Sequence, residues 1–265
     1  MVSTLLRRIV NGFEKPWSKG TVIDDYKIVD LVGKGSYGTT YSLEHTITGQ
    51  EAILKRIRPY KRIFSDPVQY VKNEFITLQI LSHSQFPNVY CYGEYNKTPY
   101  FIMEKMKGRT FEDLIFREGK TYSERESLML GLQLVNLLNS IHDKGYIHRD
   151  LRIPNILLDD STLYVIDFGL SCEISSTNQP KLTQHKELMR EKSVKSDFYA
   201  LGHFLLFLLY SAYEPTTKKE RSWEEELMLK EETRQFLRRL LQIDVPFLNS
   251  REVRQELLRM LRTED

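Results

Sequence analysis

Disulfide chemistry has almost nothing to work with in this chain. Its 265 residues hold two cysteines, Cys91 and Cys172. Two are too few for a bridged framework, and neither has neighbours at the spacing of a structural zinc site. Both read as reduced, packed thiols. An excess of one charge is lacking as well. Against 38 basic residues stand 36 acidic ones, a formal charge of +2, so no global field points to nucleic acid or a membrane surface. Long apolar runs are absent too. The start, "MVSTLLRRIVNGF", is broken by Arg7 and Arg8 and does not read as a secretion signal. The longest apolar stretch, Phe198 to Tyr213, is interrupted by Gly202 and His203. It falls short of the roughly 20 residues that span a bilayer and reads as a buried helix. These absences point to a cytoplasmic chain with no transmembrane segment.

What is present suits one large domain or two small lobes, with 41% hydrophobic residues to build a core. The first half is strand-like. "YKIVDLV", "TTYSLEH", "EAILKRI", "NVYCYGEY" and "PYFIMEKM" are short runs rich in β-branched and aromatic residues, several separated by turn signals. One helix is expected among them, "PVQYVKNEFITLQILS", with apolar residues at Val71, Phe75, Leu78 and Leu81. The second half turns helical. "SERESLMLGLQLVNLLNSIHDKG" opens with Ser123 and Glu126 at capping-box spacing and stops at Gly145. Two short strands, "NILLDD" and "LYVID", follow, then helices to the end. The pattern predicts an α+β chain: a small β-rich lobe, a crossing near Lys105 to Gly108, and a larger α-rich lobe. Ligand sites favour such inter-lobe clefts.

Four short pieces carry chemistry. "GKGSYG", Gly33 to Gly38, is followed by a strand rather than a helix. That places the glycines at a hairpin tip, where backbone N–H groups can close over phosphates. Lys55 ends the apolar strand "AILK", and Glu74 lies on the next helix, able to hold it. "YIHRDLRIPNILL" sets Asp150 and Asn155 between apolar runs. In "VIDFG", Asp167 sits at a strand end before a glycine turn, a position that suits a magnesium ligand with Asn155 across the hairpin. The basic run "KRIRPYKR" reads, beyond Lys55, as a solvated loop rather than a nucleic-acid patch.

Taken together, "GKGSYG", "AILK", Glu74, "HRDLRIPN", "DFG" and "SDFYALG" resemble the eukaryotic-type (Hanks-type) protein kinases, in the compact form found in bacteria. The resemblance runs from about Val22 to about Leu261. It implies a bilobal fold, with an extension at 1–21 and a kinase domain at 22–265. The N-lobe would cover about 22–104, the hinge 105–108 and the C-lobe 109–265, reduced at its C-terminal end. It implies ATP and magnesium as cofactors. Val32, Gly33, Lys34, Gly35, Ser36, Tyr37, Gly38 and Thr40 would cover the nucleotide. Lys55, held by Glu74, would meet its phosphates. Asp150 would take the hydroxyl proton, and Arg152 would bring charge to the γ-phosphate. Asn155 and Asp167 would hold magnesium. Met103 would be the gatekeeper, and Glu104 to Met106 would offer backbone to adenine. Asp197 would hold the "HRD" turn, and Leu78, Tyr92, His148 and Phe168 would stack as a column.

The sequence also departs from that pattern. Ile53 stands where a small residue is usual, and Thr40 where Val is usual. No A-P-E motif precedes Asp197, and Leu248 falls where its Arg partner would be, so both charges are missing together. Arg149 would meet a phosphorylated activation segment, with Ser175, Ser176, Thr177 and Thr183 available. The reading is a serine/threonine protein kinase that acts on proteins and on itself. A pseudokinase scaffold and a kinase for small molecules remain the two alternatives.

Overall fold

The computed structural model describes residues 15–35, 38–57, 67–174, 184–215 and 221–262, with backbone alone at 67–70 and 186. The chain falls into two units, Met1–Met106 and Lys107–Asp265.

Two-residue alternation builds the first unit. Six strands pair antiparallel in the order β1-β2-β3-β4-β6-β5: β1 (Val22–Ile23), β2 (Tyr26–Lys34), β3 (Gly38–His45), β4 (Glu51–Ile57), β5 (Val89–Tyr95) and β6 (Thr98–Glu104). One sheet face buries Ile28, Tyr41, Leu43, Ala52, Leu54, Tyr100 and Ile102. Helix α1 (Pro67–Leu81) packs on β4, β5 and β6 and buries Val71, Leu78 and Leu81.

Arg56 corrects the expected solvated loop. It is only 2% exposed. The period of β4 sends Lys55 to one face and Arg56 to the other. There its guanidinium lies 4.7 Å from the Trp17 ring centre, donates to the Tyr41 hydroxyl at 3.1 Å and reaches the Lys15 carbonyl at 3.2 Å. Stacking on Trp17 and these acceptors make burial of the charge tolerable. Residues 58–62 of that basic run, and residues 1–14, lie outside the described residues. Residues 15–21 pack on the sheet: the Trp17 N–H donates to the Tyr41 hydroxyl at 3.0 Å, and Gly20 and Ile28 join by backbone bonds.

The second unit is mostly helical. It holds β7 (Arg109–Thr110), α2 (Glu124–His142), β8 (Tyr146–Ile147), β9 (Ile156–Asp159), β10 (Thr162–Val165) and β11 (Cys172–Glu173). Helices α3 (His185–Leu188), α4 (Val194–Tyr210), α5 (Trp223–Glu226), α6 (Glu231–Leu240) and α7 (Ser250–Arg262) follow. The capping box forms as expected: the Glu126 N–H donates to Ser123 Oγ and the Ser123 N–H to Glu126 Oε2. The helix ends at His142, short of Gly145, whose φ of 78° completes the turn into β8. Helix α4, the apolar stretch of the sequence, is buried under α2 and α6. No described helix is long and apolar enough to cross a membrane.

Gly108 admits the chain to this unit. Its φ is 101°, and a Cβ there would lie 2.8 Å from the Leu158 carbonyl carbon and oxygen. Gly108→Ala should lower the unfolding free energy by about 2 kcal/mol through backbone strain and that clash, read from the urea midpoint. An unchanged midpoint would contradict this account.

On α4, burial first and the nearby His185 second push the His203 imidazole down to about 4 from an ordinary 6.5. Between those values the unfolded chain binds a proton at His203 that the folded chain refuses, so stability falls as pH drops from about 6.5 to about 4. Urea midpoints at pH 7 and pH 5 should therefore differ less in His203→Phe than in wild type.

Candidate active site

In the first unit, Gly33 and Lys34 of β2 pair with Thr40 and Thr39 of β3, so the glycine-rich segment closes a hairpin. Ser36 and Tyr37, at its tip, lie outside the described residues. Val32 is 60% exposed, and Thr40 is half-buried. The fold requires glycine at Gly38, where a Cβ would sit 2.9 Å from the Arg56 carbonyl oxygen. At Gly33 a Cβ would meet nothing within 4 Å, and at Gly35 only ordinary contact. Among the described residues nothing requires glycine at those two positions.

Lys55 Nζ and Glu74 Oε1 are 2.8 Å apart, with side chains 12% and 2% exposed. A buried carboxylate without a cation would be strongly disfavoured, so each charge accounts for the other. Ile53 pairs with Met103 across β4 and β6. Glu104 is fixed from two sides: its N–H donates to the Asn88 carbonyl at 2.8 Å, and its Oε2 accepts from Asn88 Nδ2 at 2.8 Å. Met106 is half-buried at the end of the unit. Leu78 is buried, and the Tyr92 ring lies 5.5 Å from that of Phe75.

The second unit organises its polar cluster around Asp197, which is 0% exposed. Its carboxylate accepts the backbone N–H of His148 at 2.9 Å and of Arg149 at 2.8 Å, and contacts His142 Nε2 at 2.9 Å. Burial alone would raise its pKa. The hydrogen bond and charge of His142, with the contribution of His148, outweigh that and hold the carboxyl below its ordinary value. Arg149 has a φ of 62°, a left-handed conformation costly for a residue with a Cβ, and its bond to Asp197 retains it. His148 and Phe168 are buried with ring centres 4.7 Å apart.

Asp150 follows this turn. Asn155 Nδ2 donates to the Asp150 carbonyl at 2.8 Å and to its Oδ2 at 3.3 Å. Arg152 Nε lies 3.0 Å from Asp150 Oδ1. The Asn155 carbonyl also accepts the Ile166 N–H at 3.0 Å, which ties Asn155 to the residue before Asp167. Asp167, at φ 63°, accepts the Gly169 N–H on Oδ1 at 3.3 Å. Asp150, Asn155 and Arg152 thus come together within this unit, and Asp167 follows the residue whose N–H bonds to the Asn155 carbonyl. No group of three or more His, Cys, Asp or Glu side chains that could hold a metal occurs among the described residues. An Asn–Asp pair remains a donor set suited to magnesium, which keeps waters and phosphate oxygens as its other ligands.

Sequence reasoning did not single out two of these partners. His142 ends an apolar helix, and its spacing to Asp197 carries no signal. Asn88 precedes a strand like any turn residue. Arg149 is bonded to its own unit: its Nε and Nη2 donate to the Arg190 carbonyl at 3.0 and 2.7 Å, and its Nη1 to the Leu170 carbonyl at 3.3 Å. Ser175, Ser176, Thr177 and Thr183 lie outside the described residues. Leu248, where an Arg was expected, is 76% exposed.

Comparison with known proteins decides the family. The family described as "Protein kinase domain" matches residues 26–263. The chain belongs to the protein kinase family. The probable serine/threonine-protein kinase YbdM of Bacillus subtilis (strain 168) is 30% identical over 264 residues, 99% of each chain. The serine/threonine-protein kinase PLK4 of Nematostella vectensis is 28% identical over 80% of this chain but only 23% of its own length. In fold, this kinase domain is similar to the Mycobacterium tuberculosis PknI kinase domain, with TM-score 0.68 at 18% identity, covering 92% of this chain and 99% of that one. The β-rich first unit with one long helix and the helical second unit are the α+β arrangement expected of the family.

Removing the Asp197 carboxylate leaves two buried N–H groups and a histidine without their acceptor. Asp197→Ala should cost about 3–5 kcal/mol of stability, and amide exchange at His148 and Arg149 should accelerate. A variant as stable as wild type, with unchanged exchange at those amides, would refute the central role given to this side chain.

Proposed function

We propose that this kinase domain transfers the γ-phosphoryl group of ATP to serine and threonine hydroxyls of proteins, itself included, in the cytoplasm. The observation that carries the reading is Asp150 held by Asn155 and Arg152 on a turn fixed by Asp197. A carboxylate placed this firmly suits a base that must meet one hydroxyl in one geometry. The printed name of the Bacillus relative, a probable serine/threonine-protein kinase, supports the choice of hydroxyl.

The roles are distributed over both units. Lys55, held by Glu74, takes the α- and β-phosphates. The hairpin from Val32 to Gly38, with Thr40, covers the nucleotide; glycine at Gly33 and Gly35 leaves the backbone open to phosphate approach, where nothing among the described residues requires glycine. Glu104 and Met106 offer backbone to adenine. Asn155 and Asp167 hold magnesium, which when bound neutralises phosphate charge. Asp150 accepts the proton as the hydroxyl oxygen bonds to the γ-phosphorus, and the bond to the bridging oxygen breaks to release ADP. Arg152 keeps the Asp150 carboxylate oriented and adds positive charge beside it.

Purified protein with labelled ATP, magnesium and a generic protein substrate tests this. Wild type should label the substrate on serine and threonine. Asp150→Asn should lower transfer by about a thousandfold or more with its melting temperature close to that of wild type. Lys55→Met should lose transfer as well. A wild type that labels no protein, itself included, yet is stabilised by ATP would overturn the reading in favour of a binding module.

A further inference from the structure

A cavity of about 360 Å³ opens beside Asp150, lined by Arg149, Asp150, Arg152, His185, Met189 and Arg190. Its wall has three guanidinium groups and one carboxylate. That carboxylate, Asp150, is already paired with Arg152 at 3.0 Å. Arg149 gives its donors to the carbonyls of Leu170 and Arg190 and to Cys172 Sγ, and meets no carboxylate among the described residues. The side chain of Arg190 has no hydrogen bond or ion pair among the described residues. By contrast, Arg238 in the same unit lies between Glu224 and Asp244, each at 2.7 Å. The cavity wall carries more guanidinium groups than carboxylates, so it holds net positive charge next to the proposed base.

Arg149 and Arg190 differ in what they can offer. The Arg149 guanidinium is fixed and largely occupied by backbone oxygens, so it supplies charge but few free donors. Arg190 is the reverse. Its backbone is clamped by two bonds from Arg149, at 2.7 and 3.0 Å, while its side chain is exposed. An anchored residue with an unoccupied planar fork is suited to bind a carboxylate or phosphate with two parallel hydrogen bonds. The charge of Arg149 behind it favours the anion and disfavours a cation.

We propose that this cavity is a substrate-selecting subsite: it takes an acidic side chain, carboxylate or phosphorylated, within a few residues of the acceptor hydroxyl on the protein substrate, with Arg190 as its specificity-determining residue. The inference rests on the protein kinase reading above and names the substrate class for it. Basic substrates are disfavoured by the same charges.

The test uses four peptides of one length, each with a single serine in a neutral background. One is neutral throughout, one carries Glu residues flanking the serine, one carries phosphoserine there, and one carries Lys. Transfer kinetics and fluorescence-anisotropy binding are measured for wild type, Arg190→Ala and Arg190→Glu, each before and after phosphatase treatment of the enzyme. Wild type should favour the Glu or phosphoserine peptide over the neutral one by about tenfold in kcat/KM, expressed mainly in KM. Arg190→Ala should bring that ratio towards one, and Arg190→Glu should turn the preference to the Lys peptide. The phosphoserine and Glu peptides separate the two sources of anion. Equal use of acidic and neutral peptides by wild type would overturn the proposal, as would an acidic preference that survives Arg190→Glu. So would a preference that phosphatase treatment of the enzyme creates, since the cavity would then be filled by the chain's own phosphate. If no peptide is phosphorylated, anisotropy still decides the subsite: acidic-peptide binding lost in Arg190→Glu upholds it, and no such binding in wild type overturns it, while labelling of a protein substrate decides the kinase reading.

Discussion

The second unit depends on one buried carboxylate. Asp197 sits near the start of a helix with no solvent around it, where an unpaired charge would be strongly disfavoured. Three donors make it tolerable, and two of them are backbone amides of the turn before Asp150. The stabilisation therefore runs both ways. The turn compensates the charge, and the charge fixes the turn. Since Asn155 bonds back to Asp150 and hands its carbonyl to Ile166, the same bonds reach the strand end that carries Asp167. The placement of Asp150 here follows from compensating a charge on a neighbouring helix.

The first unit solves a similar problem with two adjacent cations. Lys55 and Arg56 are neighbours in β4, and strand geometry sends them to opposite faces. Lys55 meets the carboxylate of Glu74 on α1. Arg56 meets π-faces, a phenol and a carbonyl. Residues 15–17 thereby become part of the sheet's packing. Gly38 pairs with Ile57, the next residue of β4, and its missing Cβ lets the glycine hairpin lie against the Arg56 carbonyl. The floor of that hairpin and the buried arginine are consequences of one strand register.

Much of this was legible in the residue order. Apolar periodicity located α1, α2 and α4, the capping box of Ser123 and Glu126 fixed the start of α2, and the spacing of glycines, Lys55, Asp150, Asn155 and Asp167 resembled one family. Those signals are local, or depend on residue types that few other environments require. The illegible parts are long-range pairings of ordinary residues. Nothing about His142, Asn88 or Trp17 announces a partner far along the chain. Arg56 was misread because a basic run looks solvated until the strand period that crosses it is known. Backbone conformation was equally hidden, since a left-handed φ is suggested only where glycine stands.

That last point bears on how the site is organised. Arg149 and Asp167 both have φ near 60° without being glycine. Such conformations cost on the order of 1 kcal/mol or more each and persist only where surrounding bonds over-determine them. At Arg149 the bond to Asp197 does this from the backbone side, and the guanidinium does it from the other end by gripping the carbonyls of Leu170 and Arg190. One strained residue therefore joins the buried helix start, the residue three beyond Asp167 and the segment after α3. The cavity beside Asp150 exists because those pieces are drawn together. Its charge follows from the cation that does the drawing, since a carboxylate could not donate to two carbonyls. A positively charged cavity next to Asp150 is thus a physical consequence of using arginine as the clamp.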